Sequence, residues 1–200
     1  MADTVKYLPD DLYPSSMDCF MEFSNQIHTS PWNKEEQIER RPGERWTFKF
    51  SYADLEQDQA RRLQGFLLSL RGVSGRFYAK DYAFFTRQGA ISGRPKVDGA
   101  DNTGSQCKIK ECPPNRVIFK IGDYVKISSR LHMITEDIRS DPLGKALLVF
   151  QPRMIVVPSE SSSVIYDEFT VVCRLKDDKQ GKRSSKDMSN SMSFECIEVV

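Results

Sequence analysis

Four things are scarce in this chain, and each scarcity excludes something. No apolar run approaches the length needed to cross a membrane as a helix. The formal net charge is only +1 on 200 residues, so nothing in the overall balance asks for a nucleic-acid backbone or an anionic membrane. Histidine occurs twice, at His28 and His132, with no HxxxH pair to suggest a metal site. There is no GxSxG elbow, and the Gly-rich stretch 88–106 lacks GxGxxG spacing and a following helix, so it reads as turn chemistry. The acidic start shows no signal-peptide pattern, which leads us to expect a protein made and kept in a cytosol, at least until assembly.

The chain has one strong helical signal. In 51–72, Ala60, Leu63, Leu67 and Leu70 recur at spacings of three and four, with Leu55 and Phe66 near the same stripe. Glu56, Asp58, Arg61, Arg62 and Gln64 fall on the other face. Ser51 with Asp54 resembles a capping box, and Gly72 supplies a stop, which predicts a helix over about 52–71. An amphipathic helix of this kind must lie on something.

The rest reads as strands. Met17, Cys19, Met21 and Phe23 alternate with Asp18, Phe20, Glu22 and Ser24, and Trp46, Phe48 and Phe50 alternate in the segment before the helix. Ser30-Pro31-Trp32 reads as a turn, and the charged stretch 33–45 as a long exposed hairpin or loop. Short strands are expected at 106–110, 116–119, 124–128, 131–136 and 145–150, separated by turn formers such as Asp141-Pro142-Leu143-Gly144. Segment 149–157, interrupted by Pro152, is expected as an edge or crossing strand. Segment 164–175 reads as a strong strand, 176–191 as a mobile polar loop, and 192–200 as the last strand.

These readings give a mainly β protein: a β-sandwich or split barrel with one packed α-helix, plus a second small antiparallel barrel or sandwich. The expected domains are an extended arm at 1–16, a unit formed by 17–79 with 162–200, and an inserted unit at 80–161. Tyr7, Leu8, Leu12 and Tyr13 would suit the arm for docking on a neighbour.

For chemistry, His132 sits in a predicted strand and reads as a structural histidine. The five cysteines read as free thiols near cores. Cys107 and Cys112 flank a turn at a separation that a metal site or a disulfide could use, and folding could bring Cys173 and Cys196 near. Phe84, Phe85, Tyr78 and Tyr82 form an aromatic cluster, readable as core or as a sugar-stacking platform. The acids read mostly as solvated charge, and no residue is assigned as catalytic, cofactor-binding or metal-ligating.

The order of several short pieces carries a resemblance. Ser30-Pro31-Trp32 and Gly43-Glu44-Arg45-Trp46 come first, then Leu67-Leu68-Ser69-Leu70-Arg71-Gly72 and Gly75-Arg76-Phe77. Val97-Asp98-Gly99-Ala100, Thr103-Gly104, Gly122-Asp123-Tyr124 and Leu131-His132 follow, with the run 141–150 and Pro152-Arg153 after them. Over about 23–175 the sequence resembles tail-tip proteins of long-tailed bacteriophages, of the distal tail protein type.

That resemblance implies a structural virion protein without enzyme activity or cofactor. It implies a ring, commonly a hexamer, that joins the tail tube protein to the hub protein and fibres, and a location at the virion tail tip after assembly in the host bacterial cytoplasm. Specific nucleic-acid binding and membrane insertion are not implied. The last 25 residues depart from the family pattern. An adjacent hub component, a carbohydrate-binding module for host-surface adhesion and a cell-wall hydrolase are the alternative readings.

Overall fold

The computed structural model describes residues 4–84, 86–100, 102–181, 183–184 and 189–200. The expected mobile loop therefore lies partly outside the described residues, as do Phe85 and the first three residues of the expected arm. Among the described residues, the strands run in chain order as β1 (Lys6–Tyr7), β2 (Ser16–Thr29), β3 (Glu36–Leu55), β4 (Phe77–Lys80), β5 (Lys96–Val97), β6 (Gln106–Lys110) and β7 (Val117–Phe119). They continue as β8 (Tyr124–Ile127), β9 (Arg130–Ile134), β10 (Ile138–Arg139), β11 (Ala146–Gln151), β12 (Thr170–Leu175), β13 (Arg183–Ser184) and β14 (Asn190–Glu198). One α-helix, α1 (Gln57–Ser69), and a 3-10 turn at Gly72–Ser74 complete the order. The fold is thus mainly β with one packed helix and a second small β unit, as the patterning implies.

The chain divides into two compact units. One comprises 14–76 with 173–200, and the other 1–13 with 77–172. These limits differ from the 17–79, 80–161 and 162–200 drawn from turn composition, because segment 162–172 is tied into the second unit. Val164 belongs to that unit's core, and Ile165 bridges to Lys126. The segment 164–175 is accordingly not one strand, since regular pairing begins only at Thr170.

In the first unit, β2, β3, β14 and the end of β12 lie side by side in antiparallel order. Alternation puts Trp46, Phe48, Phe50 and Tyr52 on one face of β3, all buried. Phe48 and Phe50 stack at 6.0 Å, and Phe194 of β14 lies 5.3 Å from Phe50. The helix packs on β3 and β14, burying Ala60, Leu63 and Leu67.

The helix starts later than its sequence signals suggest. Ser51 and Asp54 do not cap it, because β3 continues through Leu55 and Tyr52 keeps the strand alternation. Glu56 is the capping residue, with its backbone N–H donating to Gln59 Oε1 at 3.1 Å. Beyond the helix, Arg71 and Gly72 take positive φ, 54° and 67°. A Cβ on Gly72 would also collide with Asp178 Oδ1, which accepts the Val73 N–H at 2.9 Å. Gly72→Ala is therefore expected to cost about 1–3 kcal/mol, read as a lower urea midpoint with unchanged slope.

The second unit is a curled sheet in the order β5-β6-β11-β9-β8, with β7 and β10 paired beside it. Its core gathers Ile109, Ile118, Phe119, Val125, Ile134, Leu148 and Phe150. Asp123 ties a turn down, taking the N–H groups of Gln88, Gly89 and Lys120 at 2.7–2.9 Å. Segment 149–157 does not run on as a strand. β11 stops at Gln151, just before Pro152, which has no N–H to donate, and Ile155, Val156 and Val157 are exposed.

Candidate functional site

One feature among the described residues with almost no burial in its own unit is the outer part of the β2–β3 hairpin. Its register runs from Ser24 opposite Arg41 to Thr29 opposite Glu36. At the tip the Ser30 N–H donates to Glu35 O at 2.8 Å, and the Glu35 N–H to Asn33 Oδ1 at 3.2 Å. Lys34 adopts φ 61°, which closes the turn. Six residue pairs at ~3.4 Å each make a ribbon of about 20 Å.

A register break separates this ribbon from the sheet. Between Glu22 and Ser24 the pairing shifts, and Gly43, opposite that break, has φ 132°. Inward of the break β3 lies between two strands, since β14 pairs with it from Thr47 onward. Outward of it, β2 and β3 have only each other among the described residues. Every ribbon residue except Gln26 is exposed.

The side chains there are not those of an inert loop. Ile27 faces Ile38 across the strands, and these residues are 60% and 58% exposed. Trp32 at the tip is 94% exposed. Phe20 and Phe23, at the inner end, are also exposed. Around them run charges of both signs, with Arg41 3.1 Å from Glu39 and His28 3.9 Å from Glu39. A bare two-stranded ribbon is marginal in water. This one carries unpaired edge N–H and C=O groups beside exposed apolar carbon, the combination that accepts a further strand or an apolar surface.

The residues singled out for chemistry are placed otherwise. His132 is fully buried, its Nδ1 2.6 Å from Pro152 O and its ring centroid 4.5 Å from that of Phe150. Burial is the main cause that holds its pKa down to about 4, with Arg130 adding to the effect. His28 stands on the exposed ribbon.

Cys107 and Cys112 are free thiols in the second unit's core, and burial pushes each up to about 11. Cys173 and Cys196 lie in the other unit, where burial and then the Cys196 thiol raise Cys173. Raised thiols are poor nucleophiles and poor metal ligands. Among the described residues, no group of three or more His, Cys, Asp or Glu is placed to hold a metal ion.

The aromatic cluster divides. Phe84 packs edge-on against Tyr124 and Phe169 at 4.8 and 4.6 Å, as core does. Tyr78 and Tyr82 instead meet residues of the N-terminal segment. That segment is not the free arm the sequence suggests. β1 pairs in parallel with β4, and Leu8 and Leu12 are buried, so its apolar anchors are used within the chain. No protein-family model matches the chain, and no curated protein matches it.

Proposed function

We propose that the chain is a structural subunit of a bacteriophage tail tip, of the distal tail type, which closes into a ring through its β2–β3 ribbon. The observation that carries this reading is the ribbon itself, about 20 Å of paired strand exposed on both faces with Ile27, Ile38 and Trp32 outward. A cyclic assembly needs one surface to fit a different surface of the next copy. An edge ribbon supplies such a contact by lying against a neighbour's sheet or strand edge. The helix-on-sheet unit gives the ribbon a base, because β3 continues past the register break at Gly43 from the ribbon into the aromatic core. The ordered sequence pieces quoted above point the same way. In such a ring the neighbours along the tail would be the tube protein on one side and the hub with its fibres on the other.

Light scattering on the purified chain, with end-on views by negative-stain microscopy, tests the proposal. The expected particle is a closed ring with several times the 23.0 kDa mass of one chain. A single-copy mass at every concentration up to the limit of solubility, together with absence of the chain from purified virions, would overturn it.

A further inference from the structure

The second unit carries a cluster that the ring reading does not use. On β4, Phe77 and Ala79 are buried while Tyr78 and Lys80 turn outward. β1 lies beside that strand with Tyr7 opposite Tyr78, and the two rings stack at 4.6 Å and 30°. After the turn, Tyr82 and Tyr13 meet edge to face at 5.8 Å and 79°. Lys80 Nζ sits 4.8 Å from the centre of the Tyr82 ring. Leu8 and Leu12 anchor the segment by turning inward, which leaves Tyr7 68% and Tyr13 70% exposed. Asp10 is exposed on the same segment between Tyr7 and Tyr13, and burial, then Asp10 and Tyr13, raise the Tyr82 phenol.

We propose that this tyrosine cluster is a saccharide-binding site, in which Tyr7 and Tyr13 take the C–H faces of pyranose rings and Asp10, Tyr82 and Lys80 take their hydroxyls. The chemistry of the patch selects that ligand. Its most exposed apolar carbon is aromatic and flat, because Leu8 and Leu12 are buried, so it suits a planar face better than an aliphatic peptide. Its polar rim mixes a carboxylate, an ammonium and phenols, which serves neutral hydroxyls that both donate and accept. A carboxylate in the rim disfavours a phosphate backbone.

The exposed rings are also held in advance. Tyr7 is braced by Tyr78 and Tyr13 by Tyr82, so little side-chain freedom remains to be lost on binding. The site stands on the second unit alone and does not depend on the ring.

The full chain is applied to an array of printed bacterial-surface and plant-type glycans, and the best-retained one is then titrated in solution by calorimetry. At least one glycan is expected to bind. Tyr7→Ala and Tyr13→Ala should each weaken that binding about tenfold, as loss of a stacking ring does for other flat ligands. Tyr7→Phe and Tyr13→Phe keep the ring and should stay within about threefold of the parent chain. All four substitutions fall on exposed side chains, and an unchanged thermal transition shows that the variants are folded. Retention of no glycan overturns the proposal, as does binding that both alanine variants leave unchanged. Binding of oligothymidylate with the same tyrosine dependence would overturn it as well, by showing a single-strand stacking site instead.

Discussion

A chain in which Glu22 is joined to Arg45 through Asn-Gly, with the ribbon deleted, should remain folded and run as a single copy. Glu22 and Arg45 are directly opposite in the register, so a two-residue turn can close between them without moving either strand. The core inward of that point is untouched: Phe48, Phe50, Tyr52 and Phe194 keep their partners, and β14 still covers β3. Stability should therefore change little, since Glu44 is the one buried residue among those deleted.

Assembly should be lost, because the variant removes Ile27, Ile38 and Trp32 together with the ribbon's two open edges and leaves only the short edge of β2 beside Phe20 among the described residues of the first unit. A graded version is Trp32→Ser combined with Ile27→Thr and Ile38→Thr, which leaves the backbone in place. It should weaken association by about 2–4 kcal/mol, the scale of a few truncated anchors, seen as a ring that dissociates on dilution. A folded deletion variant that still forms rings would place the contact elsewhere and remove the ribbon from the proposal.

The hairpin shows what local sequence carries and what it does not. The alternation of Met17, Cys19 and Met21 with Asp18 and Phe20, and of Trp46, Phe48 and Phe50, is a period-two signal that needs no knowledge of the partner strand. It is legible and gives the right faces as far as Met21, but Phe23, expected on the face of Met21, is exposed where the pairing shifts after Glu22. The charged stretch 33–45 was legible as an exposed hairpin or loop, but not its extent, because exposure on both faces depends on where β14 stops pairing with β3.

The helix starts later than its sequence signals indicate for a related reason. Ser51 and Asp54 have capping chemistry, yet Tyr52 is needed in the aromatic face of β3, and burial outweighs a cap worth about 1 kcal/mol. The docking of the N-terminal segment is not legible locally because its partner lies far along the chain. Lys6 and Tyr7 pair with Phe77 and Tyr78, and no local pattern announces a parallel contact at that separation. Segment 164–175 looked continuous by hydrophobicity alone. It divides because Ile165 makes a single bridge to Lys126, while Glu168 turns to an ion pair with Lys126 Nζ at 2.6 Å.

Acid should loosen the second unit through His132, and this is the other large effect expected. The imidazole is fully buried on β9 between Leu131 and Met133, with its pKa held at about 4 against an ordinary 6.5. In the unfolded chain the same group takes up its proton near pH 6.5, whereas the folded protein stays neutral until about pH 4. The unfolded state thus binds more protons in that interval, and stability falls as pH falls. The contribution is complete above pH 6.5 and is lost through pH 4, a total of about 3 kcal/mol at ~1.4 kcal/mol for each pH unit.

Two carboxylates act in the same direction but lower down. Glu168 is depressed mainly by its hydrogen bond to Lys126, and Asp98 mainly by its hydrogen bond to Lys145. Their ordinary values of 4.5 and 3.8 put their losses below the interval in which His132 acts alone. Hydrogen exchange of second-unit amides between pH 6.5 and 5, corrected for intrinsic rate, isolates the histidine.

His132→Phe should flatten that slope. It should also cost about 1–3 kcal/mol at pH 7, because Pro152 O loses its partner at 2.6 Å. The parent chain and the variant should therefore converge as the pH falls toward 5. Parallel profiles would mean that the proton taken up on unfolding belongs to another group.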